Sequence, residues 1–315
     1  MRNEGELRRL VATYGVFLRR EALAIGYDTK DFRPALRDGT WVRVRHGAYT
    51  FAESWPADEI GQHNVRTKAV MRTHEGRAAP SHQSSVLLRD IDSWGLDLSQ
   101  VHLTRTNGAP VRPAKDIRYH EGACSPDDLE VVDGLHVTSL PRALLETAYV
   151  STVESGVVLF DSALRSQQVT IAKLEESFGS MRRWPGSQHT DLVMRLADGK
   201  SGSVGESRAR HLMWSQGIPM PVLQYPVFNR AGIQVAATDF AWPKYGVLGE
   251  FDGRYKYSRF LQPGERPEDV VFREKQREDL IRELTGWRVF RMIWADLYEP
   301  RATAARLRAF LRAAA

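Results

Sequence analysis

Asp239, Glu250 and Asp252 lie close together in the stretch TDFAWPKYGVLGEFDG, and their spacing suits metal chemistry. Val235, Ala237 and Asp239 alternate to one side of a predicted strand, and Glu250 and Asp252 to one side of the next. A short turn over 243–246 makes those strands antiparallel neighbours, so the three carboxylates can converge on one point. Carboxylates held that close repel one another unless a cation sits among them, and Mg2+ or Mn2+ is the simplest choice. The same residues also read as solvated acids at strand ends, because Asp252-Gly253 is an ordinary turn dipeptide.

A second set of residues could meet a polyanion. Leu7, Leu10, Val11 and Tyr14 recur at helical spacing before Gly15, a second helix covers about 18–25, and Asp28 or Thr29 caps a third that runs to Asp38. WVRVRHGAYTF then reads as a hairpin turning at His46-Gly47. Three short helices and a hairpin is the plan of a winged helix-turn-helix, whose third helix enters the major groove while the hairpin lies on the backbone. That helix offers Lys30, Arg33 and Arg37, and the wing offers Arg43, Arg45 and His46, with the two arginines expected to point the same way. A small helical domain with a solvated basic face is the other reading. DNA binding is favoured because the basic residues concentrate on the two elements that would touch it.

Composition sets the bounds. The 315 residues suffice for two or three cores, and 44 Lys and Arg against 39 Asp and Glu suit a nucleic-acid partner without requiring one. A single cysteine, Cys124, excludes an internal disulfide or a thiolate zinc cluster and points to a reducing cytoplasm. No apolar run approaches membrane-spanning length, and MRNEGELRRL lacks the core of a signal peptide. The expected domains are 1–55, 56–198 and 199–315. The middle one reads as α+β, with helices over 60–75, 81–89, 140–150 and 157–165, strands over 101–105 and 116–122, and a hairpin around Asp133-Gly134. It holds His63, His74, His82, His102, His120 and His136, none paired with an acid at helical ligand spacing, so they read as surface or hydrogen-bonded structural residues. His82, beside a helix start, stands out among them.

The last domain reads as a helix over 205–214, strands VLQYPVF, IQVAATDFAW and VLGEFD, a helix over 268–284, the strand WRVFRMI and a closing helix over 295–315. The order α-β-β-β-α-β, with acids on the first helix and on the second and third strands, is the core plan of restriction-endonuclease-like nucleases. The expected architecture is therefore α/β and α+β multidomain: an N-terminal winged helix, an α+β middle domain and a C-terminal restriction-endonuclease-like α/β domain.

Two resemblances add to this. FLRREALAIGY, LRDGTWVRVRHGAYTF, SHQSS and VDGLHVTSLPRALLETA resemble the AbiEi-family antitoxins of type IV toxin–antitoxin systems, over roughly the first half of the chain. That likeness implies a winged-helix repressor of its own operon and, as a partner, a cognate toxin. VGESRARHLMWSQGI, TDFAW, GEFDGRYKY and REKQREDLIRELTGWRVFRMIW resemble the very-short-patch-repair-like branch of the PD-(D/E)XK nucleases, over nearly all of the last domain. By motif position, Asp239 stands for the family's first strand acid, Glu250 for the second, and Glu206 for the helix acid that completes the metal shell.

One departure bears on activity. The third motif position, usually lysine, is Asp252, which adds a carboxylate where a cation would orient the attacking water. Lys256 or Lys275 could reach back into the site, and Arg254, Arg259 and Arg273 could follow a phosphate backbone. Two functions stay open at this point. One is a DNA-binding, Mg2+-dependent endonuclease; the other is a non-catalytic antitoxin and transcriptional repressor.

Overall fold

The computed structural model describes residues 3–74, 78–106, 114–122, 124–182, 184, 187–253, 276–277 and 279–313. It is a mixture of helices and several small sheets, an α+β multidomain architecture. Contacts gather the chain into two units: Met1–Ile91, Gly95–Ser151 and Ala172–Ser187 form one, and Asp92–Trp94, Thr152–Ile171 and Gln188–Ala315 the other.

The first unit opens with α1 (Glu4–Tyr14), β1 (Phe17–Leu18), α2 (Arg19–Ala24), α3 (Thr29–Arg37), β2 (Trp41–Arg45) and β3 (Ala48–Phe51). Local chemistry sets these limits. Asn3 accepts the Glu6 N–H to start α1, and Gly15 ends it with φ 75°. Asp28 and Asp31 close a reciprocal cap at the start of α3. The three strands pair in the order β1-β3-β2, and Phe17, Phe32, Trp41, Tyr49 and Phe51 pack into one aromatic core.

The rest of that unit contains α4 (Glu59–Thr73), β4 (Ala78–Pro80), α5 (His82–Val86), β5 (Val101–Arg105), β6 (Ile117–His120), β7 (Leu129–Val132), β8 (Leu135–Thr138) and α6 (Leu140–Val150). β5 is the centre of a three-stranded sheet, antiparallel to β4 and parallel to β6. β7 and β8 form the expected hairpin, with Asp133 and Gly134 both left-handed at φ 50° and 74°.

Next along the chain come α7 (Val153–Arg165), α8 (Ile171–Met181), α9 (Ser187–Leu196) and α10 (Val204–Ser215). They lead into β9 (Val222–Phe228), β10 (Gln234–Trp242), β11 (Val247–Asp252) and β12 (Arg288–Ile293). These strands form one sheet in the order β12-β11-β10-β9, with β11 parallel to β12 and the other pairs antiparallel. A helical segment over 279–285 precedes β12. One sheet face carries Phe240, Trp242, Val247, Phe251, Phe290 and Met292 against α10; the other carries Ala241, Leu248 and Val289 near Ile281.

The two contact units interleave along the chain, with α7 packed on α10 inside the second of them. Asp161 of α7, fully buried, takes both Arg210 Nη2 contacts at 2.8 and 2.7 Å, and Arg208 Nε donates to Glu154 at 2.8 Å. The single closing helix is two, Trp294–Tyr298 and Pro300–Arg312, because proline cannot donate within a helix and serves as the first residue of a new one. No helix among the described residues is long and apolar enough to cross a membrane.

Candidate functional site

α3 buries Phe32 and leaves Lys30, Arg33 and Arg37 exposed. Their i, i+3, i+7 spacing gathers them on one face of the helix. Phe32 packs 5.4 Å from Trp41 and 5.1 Å from Tyr49 between ring centroids, which fixes the helix on the hairpin below it. Arg43 and His46 are exposed on that hairpin. Arg45 differs. A bulge between Arg43 and Arg45 breaks the alternation, and Arg45 turns into its own unit, 3.1 Å from the Asp116 carboxylate and donating to Thr73 Oγ1 at 2.7 Å. The two arginines therefore do not act as the expected parallel pair.

In the second unit, β10 and β11 pair Phe240 with Gly249 and Ala241 with Leu248. That ladder stops one position short of Asp239 and Glu250, while Glu250 and Asp252 fall two and four residues after Leu248 on β11, on its side of the strand. The Asp239 carboxylate accepts the Phe251 N–H at 2.8 Å where the ladder ends. Glu250 is 3.3 Å from Arg277 Nη1, and Arg277 Nη2 donates to Ala237 O at 2.6 Å, so an arginine from outside the strands bridges to this face.

Glu206 stands in the first turn of α10. Its side chain accepts from Gly202 N at 2.7 Å, Ser203 Oγ at 2.9 Å and Gln224 Nε2 at 3.2 Å, while Ser203 Oγ accepts the Glu206 N–H at 3.2 Å. Its helix packs on the sheet face of Phe240 and Phe251, where Gly205 meets the Phe251 ring, and Gln224 lies across from Asp239 in the β9–β10 register. The local signal for this cap was Ser203-x-x-Glu206, the spacing of a helix start. Lys256 and Lys275, with Arg254, Arg259 and Arg273, lie outside the described residues.

Among the described residues, one group of His, Cys, Asp or Glu brings three potential ligand atoms within 4.8 Å of one another, and it is not the carboxylates. It is His82, His102 and His120. His102 Nδ1 is 3.0 Å from His120 Nε2, and the His82 and His120 rings stack 3.6 Å apart at 21°. Burial holds all three imidazoles neutral: His102 is pushed down to about 3 and His120 to about 4, and His82 also lies well below its ordinary value. Helical ligand spacing could not find this trio, because two members come from parallel strands and the third from a helix start.

No family model matches the chain. It is 28% identical over 273 residues to "Uncharacterized protein Rv2248" of Mycobacterium tuberculosis strain H37Rv, spanning 86% of this chain and 93% of that one. "Uncharacterized protein MT2308" of strain CDC 1551 matches over the same length at the same identity. The crystal structure of the Rv2827c protein of M. tuberculosis is a distant neighbour, with a TM-score of 0.40 and 12% identity over 70% of this chain and 82% of that one.

Proposed function

We propose that this chain is a DNA-binding protein whose N-terminal residues act as a winged helix-turn-helix, with α3 in the major groove and the β2–β3 hairpin on the backbone. The observation that carries this reading is the division of α3: Phe32 is buried, and Lys30, Arg33 and Arg37 stay exposed together on one face. Arg43 and His46 extend the same surface to phosphates. Fluorescence anisotropy with the DNA upstream of the chain's own coding sequence tests it. Arg33→Ala and Arg43→Ala weaken binding if the reading holds; unchanged binding in both removes it.

The second unit is proposed as a restriction-endonuclease-like domain, which its strand order and the Asp239 contact to the β11 backbone beside Glu250 support. Those two carboxylates would hold Mg2+ or Mn2+, with Asp252 alongside, and the ion would supply a Lewis acid for a phosphodiester. Glu206, held at the start of α10 and by Gln224 of β9, would be the helix acid of that shell. Plasmid nicking with either ion, abolished by Asp239→Ala and by Glu250→Ala, is the expected result.

Two observations favour a non-catalytic repressor and antitoxin instead. Arg277 already neutralises Glu250 from within the chain, and Asp252 stands where a nuclease would carry lysine. Absence of cleavage with both ions, alongside retained promoter binding, selects that reading. A cognate toxin would then be the partner to seek.

A further inference from the structure

We propose that His82, His102 and His120 form a binding site for one divalent transition-metal ion of the zinc class, independent of the nucleic-acid reading. Imidazole nitrogens select such ions over hard Mg2+, and three of them leave a fourth position for water. The fold brings the ligands together from three segments. In the parallel β5–β6 pair, His102 lies opposite Arg118 and Thr104 opposite His120, so His102 and His120 share a sheet face two residues apart. His82 comes from the first position of α5 with φ 51°, a left-handed conformation that a non-glycine residue adopts only where the surroundings hold it there.

The surroundings of the trio are those that orient metal-bound histidines. His82 Nδ1 lies 3.0 Å from Ser81 Oγ and 3.5 Å from the Glu146 carboxylate, which leaves Nε2 for an ion. Glu146 is buried and anchored in turn by Arg142 Nε at 2.8 Å. Gln83 Nε2 lies 2.9 Å from His102 Nε2 and donates to Asp97 O at 3.1 Å, so without an ion His102 carries its proton on Nδ1 and shares it with His120. In that arrangement Gln83 Oε1 is buried with no hydrogen-bond partner.

Turning the Gln83 amide over gives that oxygen a donor, the Nε2–H of the other His102 tautomer, at the expense of the Asp97 contact. The same tautomer frees Nδ1 for an ion. The shared proton between His102 and His120 is thus what an ion would replace. His82 and His102 are buried and His120 only partly so, which leaves one side for entry.

The test uses the full chain without a histidine tag, stripped by chelator. Co2+ binding is followed by visible absorption, and Zn2+ binding by competition with a chromophoric chelator. One ion per chain is expected, lost in His120→Gln and retained in His136→Gln, whose exposed side chain lies on the β7–β8 hairpin. Glu146→Gln, which changes the partner of both His82 and Arg142 and no ligand nitrogen, should weaken binding roughly 10- to 100-fold. No stoichiometric ion in the wild type, or equal uptake by His120→Gln, overturns the proposal. If His120→Gln does not fold, the wild-type melting midpoint decides: a rise with one equivalent of Zn2+ supports the site, and no change refutes it.

Discussion

Arg33→Ala and Arg45→Ala make a matched pair for testing how this chain would hold DNA. Both remove one positive charge from the expected DNA-binding elements, yet the structure gives them different standing. Arg33 is exposed on α3, whereas Arg45 is 18% exposed and engaged by Asp116 and Thr73. Lys30, Arg33, Arg37 and Arg43 are the exposed cations of the surface. If each neutralises one phosphate, log K falls against log salt with a slope of about −3.6, a roughly 150-fold loss between about 50 and 200 mM salt. Arg33→Ala should reduce the slope to about −2.7, a roughly 40-fold loss over the same range. Arg45→Ala should leave the slope as it was. Anisotropy titrations at four salt concentrations measure both. Equal slope changes in the two variants would refute the assignment of Arg45 to the protein interior, and no change in either would refute the α3 surface.

Other consequences follow from the packing of each unit. Arg210→Ala leaves the Asp161 carboxylate buried without its counter-charge and should cost about 3–5 kcal/mol in urea unfolding, whereas the paired change Asp161→Leu with Arg210→Met should recover most of it. Gly205→Ala would set a methyl group 2.1 Å from the Phe251 ring, so a loss of about 1–3 kcal/mol is expected in the same assay. His63 is pushed down to about 4, first by burial and further by Arg66, against the Leu98 carbonyl and Asp97, which oppose the shift. Its neutral form is favoured in the fold, so its contribution of about 3 kcal/mol is complete above pH 6.5 and is lost as pH falls toward 4. Unfolding curves across that window should be flatter for His63→Gln, and an identical pH dependence would disprove this role.

Much of the local architecture was legible because it depends on neighbours in the chain. The cap at Asp28, one of two residues the sequence offered, the stop at Gly15, the Asp133-Gly134 hairpin and the four strands of the second unit stand where patterning puts them. That Asp239 comes beside the β11 backbone was legible for the same reason, since a short turn joins the two strands. A bulge in β2 could not be read, since alternation predicts a regular strand, and it changed the direction of Arg45.

Contacts between distant segments were set by tertiary structure alone. Asp161 meets Arg210 across 49 residues, and Arg277 reaches Glu250 from beyond the strands. The histidine trio exists only because β5 and β6 run parallel in one register and α5 begins beside them. Helix caps and strand alternation depend on residues a few positions apart, so the sequence by itself determined them. Pairing register and interhelix packing depend on which distant surfaces exclude water together, and only the folded chain decides that.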